Sequence, residues 1–175
     1  MTFPDEKRAT VESYCQAYFE RTARAAASID LGRLAEAAAL LEAAFGEARW
    51  LFACGNGGSA AIANHLLCDH VKGIRTDTGL RPRVVSLSAN LELITAIAND
   101  IDYDDVFLYQ LESLARPGDM LMTISASGDS ENIVRAIEWA RGNGVKSIAL
   151  SGFGGGRSGR LADISLHVEG DNYGV

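Results

Sequence analysis

The chain is short of positive charge and has no long apolar run. Its 16 lysines and arginines are outnumbered by 23 aspartates and glutamates, leaving a formal net charge of −7. With no basic stripe to release counterions from a phosphodiester backbone, a nucleic-acid partner is not expected. No apolar stretch approaches the ~20 residues that a membrane span needs. The opening MTFPDEKRAT is polar and lacks the apolar core of a secretion signal. A soluble, cytoplasmic protein with no membrane partner is expected. Cysteine is scarce: Cys15, Cys54 and Cys68 are odd in number and lack metal-ligand spacing, which speaks for reduced thiols. Glycine, by contrast, is plentiful at 18 of 175 residues and gathers in a few loops.

Those loops follow apolar runs and precede helical patterns. Residues 1–48 read as two amphipathic helices. The first starts near Pro4, with Asp5 and Glu6 in its first turn; Asp30 caps the second. This pair either covers one side of the core or packs against a second copy of the chain. Residues 49–175 then alternate strands (Trp50–Cys54, Val84–Leu87, Asp119–Ile124, Val145–Leu150 and Asp163–Val168) with helices. Such alternation predicts an α/β fold: a doubly wound, mostly parallel five-stranded sheet flanked by helices and preceded by the helical pair. The whole is a single domain, with no linker or low-complexity tract to divide it.

Two strand–loop–helix junctions carry the chemistry. The first is CGNGGS at Cys54–Ser59, where glycines admit close approach to the backbone and Ser59 can cap the helix that follows. The second is SASGDS at Ser125–Ser130, with three hydroxyls around Gly128. Each puts a helix N-terminus at the end of a strand, where free N–H groups and the positive end of the helix dipole favour an anion. In an acidic chain such a site must be built from amides and hydroxyls, and a phosphate fits that description. Glycine and serine are also ordinary turn residues, but two such loops after apolar strands favour a phosphorylated ligand. A dinucleotide is disfavoured: Gly55–Ala60 fits G-x-G-x-x-A, yet the next strand ends Ser86-Leu87-Ser88 without the acid that holds a ribose.

His65 and Asp69 share a face of the helix leaving the first loop, His65 lying roughly 9 Å along the axis from Ser59. That separation suits the far end of a phosphorylated sugar. The pair has the spacing of half a zinc site, although a structural hydrogen bond between the two is the commoner arrangement. His70 is expected at a surface or interface, and His167 to face outward from its strand.

CGNGGS, His65 six residues after Ser59, Asn99-Asp100, SASGDS and the closing DNYG together resemble the sugar isomerase (SIS) domain, and within it the phosphoheptose isomerases. The likeness spans nearly the whole chain. It implies a homotetramer with substrate sites between subunits. It implies that Asn56, Gly57, Gly58, Ser59, Ser125, Ala126, Ser127 and Ser130 line a sugar phosphate site, with Asn99 and Asp100 nearby. One zinc ion per subunit, held partly by His65 and Asp69, is also implied, with Asp69 as the base. The implied reaction interconverts sedoheptulose 7-phosphate and D-glycero-D-manno-heptose 7-phosphate through an enediol. Position 69 is usually glutamate in that family, one methylene longer. Family members also continue into a C-terminal helix bearing a glutamine and a histidine that complete the zinc site, and no residue of these 175 matches those positions. The expectation is a chain cut ahead of that helix or, alternatively, a non-catalytic SIS module that binds a phosphosugar or a protein as scaffold or sensor.

Overall fold

A computed structural model describes Pro4 and residues 6–175. Five strands form one sheet in the order β2-β1-β3-β4-β5. They are β1 (Trp50–Gly55), β2 (Arg83–Ser86), β3 (Met120–Ser125), β4 (Lys146–Ser151) and β5 (Ile164–His167). All four pairings are parallel. β3 is buried along its whole length and β1 beyond Trp50, as expected of central parallel strands covered on both faces.

The helices are α1 (Val11–Ala27), α2 (Leu31–Gly46), α3 (Gly58–Cys68), α4 (Arg75–Asp77), α5 (Leu91–Asp100), α6 (Leu108–Leu114), α7 (Glu131–Gly142) and α8 (Gly156–Leu161). Side chains alternate along a strand, so β1 serves two cores. Leu51 joins Ala37, Ala44 and Phe45 of α2 with Met120, Met122 and Ile148. Phe52 and Cys54 face the opposite layer, where Ile97, Phe107, Leu111, Ile133 and Ile137 pack against Leu121 and Ala149. Cys54 is fully buried and its thiol pKa is pushed far up by burial, so it is an inert core residue.

Several element boundaries differ from the sequence pattern. The first helix starts at Val11 rather than near Pro4, because Thr10 and Ser13 form a reciprocal capping box there; Asp5 lies outside the described residues. Asp30 caps α2 as expected, its carboxylate accepting from Gly32 N (2.9 Å) and Arg33 N (3.0 Å). Past Cys68 the chain runs on through a π-helical segment, Asp69–Ile74, into α4. A short helix, α8, was hidden inside the glycine-rich stretch after β4, where glycine masks helical periodicity. Among the described residues no helix is long and apolar enough to cross a membrane.

The order of the strands places the site. From β1 the chain winds outward to β2, then returns to add β3 on β1's other side. The carboxyl ends of β1 and β3 are therefore neighbours at the point where winding reverses, with Gly55 paired to Ile124. Ligands of open parallel sheets bind in that crevice.

Candidate functional site

The first loop turns back tightly on its own strand. A Cβ on Gly55 would come within 2.7 Å of the Ser59 backbone, so no larger residue fits. The Gly55 N–H donates to Ser88 Oγ (3.1 Å), and the same hydroxyl donates to Gly55 O (2.8 Å). Gly57, at φ +53°, begins α3 without a side-chain cap. Ser59 is thus not the N-cap: it sits inside the first turn, its N–H on Asn56 O (2.9 Å). The uncapped helix end, where the dipole is positive, is available to a ligand.

The second loop is held by its own serines and clamped from behind. Ser125 Oγ accepts Gly128 N (3.2 Å) and Ser127 Oγ accepts Asp129 N (3.3 Å). Gly128, at φ +71°, rests directly on Gly155, whose carbonyl oxygen would lie 2.2 Å from any added Cβ. The start of α8 completes the clamp: Arg157 N–H donates to Asp129 Oδ1 (2.9 Å), its guanidinium to Asp129 O (2.8 Å), and Ser158 N–H to Gly128 O (2.8 Å). Arg157 also reaches Glu131 Oε2 at 2.8 Å and, with Arg135, holds that carboxyl below its usual pKa.

Both loops open on one cleft of about 880 Å³, the size of a small-molecule site. Asn56, Gly57, Gly58 and Ser59 line one side; Ser125, Ala126, Ser127 and Ser130 line the other. Among the described residues no lysine or arginine lines it, so an anion there is met by amides and hydroxyls, as the acidic composition requires. Ile62, Leu150, Leu166 and Phe153 give the rest of the wall an apolar character.

The cleft also holds residues that sequence reasoning missed. His167, expected to face outward, lines it instead, half-buried, with Nδ1 out of solvent and without a hydrogen-bond partner among the described residues. The register explains this: His167 pairs with Ser151, and Ser151 with Ser125, so one row of polar residues crosses the ends of β3, β4 and β5. Ser151 Oγ is likewise buried without a partner among the described residues. The signal was present as a third strand followed by a glycine-rich loop, SGFGGG, beside the serine loop.

Asn56 is firmly tied. Its Nδ2 donates to Asn132 Oδ1 (2.9 Å), and its Oδ1 accepts from Asn132 Nδ2 (3.1 Å) and from the Tyr103 hydroxyl (3.0 Å). Asn132 is 1% exposed, and a buried amide left unpaired would cost about 1–3 kcal/mol.

His65 and Asp69 are brought together but stand outside the cleft lining. His65 Nε2 lies 3.3 Å from Asp69 Oδ1, with side chains 71% and 62% exposed. Ile62, three residues before His65 on the same helix face, does line the cleft, so the pair continues its stripe outward. As donors an imidazole nitrogen and a carboxylate suit zinc, but their number falls short. Among the described residues no group of three or more His, Cys, Asp or Glu could hold a metal, whereas zinc takes four ligands. The described residues alone therefore do not make a zinc site. Asn99 and Asp100 are exposed at the end of α5, bonded to each other (2.7 Å), and do not line the cleft. His70 is half-buried, its Nδ1 2.9 Å from Leu66 O and its ring edge-on to Phe45.

A doubly wound sheet with two small-residue loops meeting at its switch point is the arrangement of an α/β protein that binds a small anionic ligand. The chain matches the SIS domain over residues 13–152 and belongs to that family. Within the family its place is with the phosphoheptose isomerases. It is 37% identical over 155 residues to a probable phosphoheptose isomerase of Thermoplasma acidophilum, covering 88% of this chain and 84% of that one. It is 42% identical over 120 residues to the phosphoheptose isomerase of Akkermansia muciniphila, covering 67% of this chain but only 62% of the relative's length. The solved phosphoheptose isomerase of Neisseria gonorrhoeae superposes with a TM-score of 0.83 at 32% identity, over 94% of this chain and 90% of that one.

Proposed function

We propose that this chain is a phosphoheptose isomerase, interconverting sedoheptulose 7-phosphate and D-glycero-D-manno-heptose 7-phosphate in the cytoplasm. The observation that carries the reading is the single cleft onto which both serine- and glycine-lined loops open. The phosphoryl group is received by the start of α3 and the hydroxyls of Ser59, Ser125, Ser127 and Ser130. The sugar then extends along the Ile62 stripe towards His65 and Asp69.

Moving a carbonyl between C1 and C2 requires a base that takes a proton from one carbon and returns it to the other, and positive charge or a donor for the developing oxyanion. Asp69 is the base in this reading, and His65, 3.3 Å from it, orients the carboxylate. Zinc belongs to the proposal as a group to which His65 and Asp69 contribute two donors, the others coming from outside the described residues; bound there it would polarise the carbonyl. A homotetramer is part of the same reading. It is supported by the exposed apolar residues of the N-terminal helices, where Val11, Phe19 and Leu31 are 74%, 65% and 72% exposed.

The test is conversion of sedoheptulose 7-phosphate followed by NMR, with and without added zinc, alongside Asp69→Ala and His65→Ala. Turnover in wild type that both substitutions abolish is expected. Turnover that survives both removes the assignment of the base. Stabilisation by the substrate with no turnover under any condition replaces the enzyme with a phosphosugar-binding module.

A further inference from the structure

We propose that Asn132 is a positioning residue that fixes the gap between the two phosphate loops by holding Asn56; the inference rests on the cleft receiving a phosphoryl group. Asn56 belongs to the first loop. Asn132 is the second residue of α7, two positions after Ser130, and so moves with the second loop. Their amides pair head to tail, at 2.9 and 3.1 Å, across the junction between the two loops.

Three features separate this pair from an ordinary buried hydrogen bond. Asn56 Oδ1 accepts from both Asn132 Nδ2 and the Tyr103 hydroxyl, which fills the two lone pairs of an amide oxygen. The amide of Asn56 is thereby left with one free N–H, and what it offers a ligand comes mainly through its backbone. Neither Asn132 nor Tyr103 lines the cleft, so both act on the ligand only through Asn56. Finally, Asn132 is followed by Ile133 and Val134, all three essentially solvent-free. A reciprocal amide pair dictates distance and plane, which an apolar side chain in the same place would not.

The consequence is chemical as well as structural. A phosphoryl group bridging two loops senses their separation, and a misplacement of about 1 Å is enough to cost ~100-fold in rate. Ser88 sets the first loop against β2, and Arg157 sets the second against α8. The Asn56–Asn132 pair is the direct side-chain link from one loop to the helix of the other.

Asn56→Ala, Asn132→Ala, the double variant and Tyr103→Phe, all in the full chain, test the inference. The readouts are KM and kcat for sedoheptulose 7-phosphate, the inhibition constant of inorganic phosphate, and Tm. Each alanine variant is expected to raise KM and the phosphate inhibition constant about tenfold, with the double variant no worse than either single. Tyr103→Phe, a change at a half-exposed residue that leaves the fold intact, is expected to raise both two- to threefold at unchanged Tm. Asn132→Ala with a lowered Tm but wild-type KM and phosphate inhibition overturns the proposal, as do losses that multiply in the double variant. A wild-type chain indifferent to inorganic phosphate overturns the phosphate reading, and this inference falls with it.

Discussion

The two ends of α3 are built in opposite ways. At its N-terminus the cleft is formed by backbone turns and hydroxyls, and among the described residues no lysine, arginine, aspartate or glutamate lines its wall. At its C-terminus His65 and Asp69 are ionisable, exposed, and two donors where a zinc site needs four. The binding end is completed by the topology of one chain. In the proposed reading the His65–Asp69 end would have to be covered, because electrostatic catalysis is strong only where water is excluded. A second subunit, in the proposed tetramer, is the natural cover.

The contrast breaks first at Asp69. Asp69→Asn keeps the shape and the contact to His65 but cannot accept a carbon-bound proton. General bases contribute ~100- to 10,000-fold, so kcat is expected to fall by at least ~100-fold with KM within about twofold of wild type. Steady-state kinetics on sedoheptulose 7-phosphate decides it. A large rise in KM with kcat preserved would place Asp69 in binding and erase the division of labour between the two ends.

At the other end the most damaging change is Gly128→Ala. Position 128 has φ +71°, and an added Cβ would sit 2.2 Å from Gly155 O and 2.9 Å from Ser158 Oγ. Strain and backbone displacement together are expected to cost about 2–4 kcal/mol in urea unfolding, with weaker inhibition by phosphate. Ser127→Ala is gentler. It removes one hydroxyl, which also accepts from Asp129 N, and a lost hydrogen bond to a charged ligand is worth about 1.5–3 kcal/mol. KM should therefore rise tenfold or more at roughly constant kcat, the reverse of Asp69→Asn.

The two ends also differed in how far the sequence revealed them. Both loops were legible because glycine, serine and an apolar strand in fixed order leave a local signature. Their adjacency followed from the winding of the sheet once the strands were placed. His167 was misplaced because the outward alternation of an edge strand says nothing about the neighbouring loop, here Gly152–Gly156, that folds over its end. The pairing of Asn56 with Asn132 spans 76 positions and had no local trace at all. The spacing of His65 and Asp69 correctly predicted that they meet, yet nothing in a helical period reports what covers a helix face.

Phe153 bounds the cleft on the side away from α3, and it sharpens the view that backbone geometry rules the binding end. Its φ of +46° lies in the left-handed region, where a bulky L-residue costs roughly 1–2 kcal/mol. Two contacts hold it there: its N–H donates to Gly170 O (2.6 Å), and its ring lies 5.2 Å from that of Tyr173. Tyr173 is 82% exposed, so the ring contact is mostly in water and contributes little. Phe153→Gly removes the ring but also the strain, and stability is expected to stay within about 0.5 kcal/mol of wild type. Phe153→Val removes the ring and places a β-branched residue in the same conformation, for an expected loss of about 1–2 kcal/mol. Urea unfolding of the two variants separates the causes. If glycine proves as destabilising as valine, the aromatic contact rather than the turn holds this wall, and the cleft depends on side-chain packing in the way its other two walls do not.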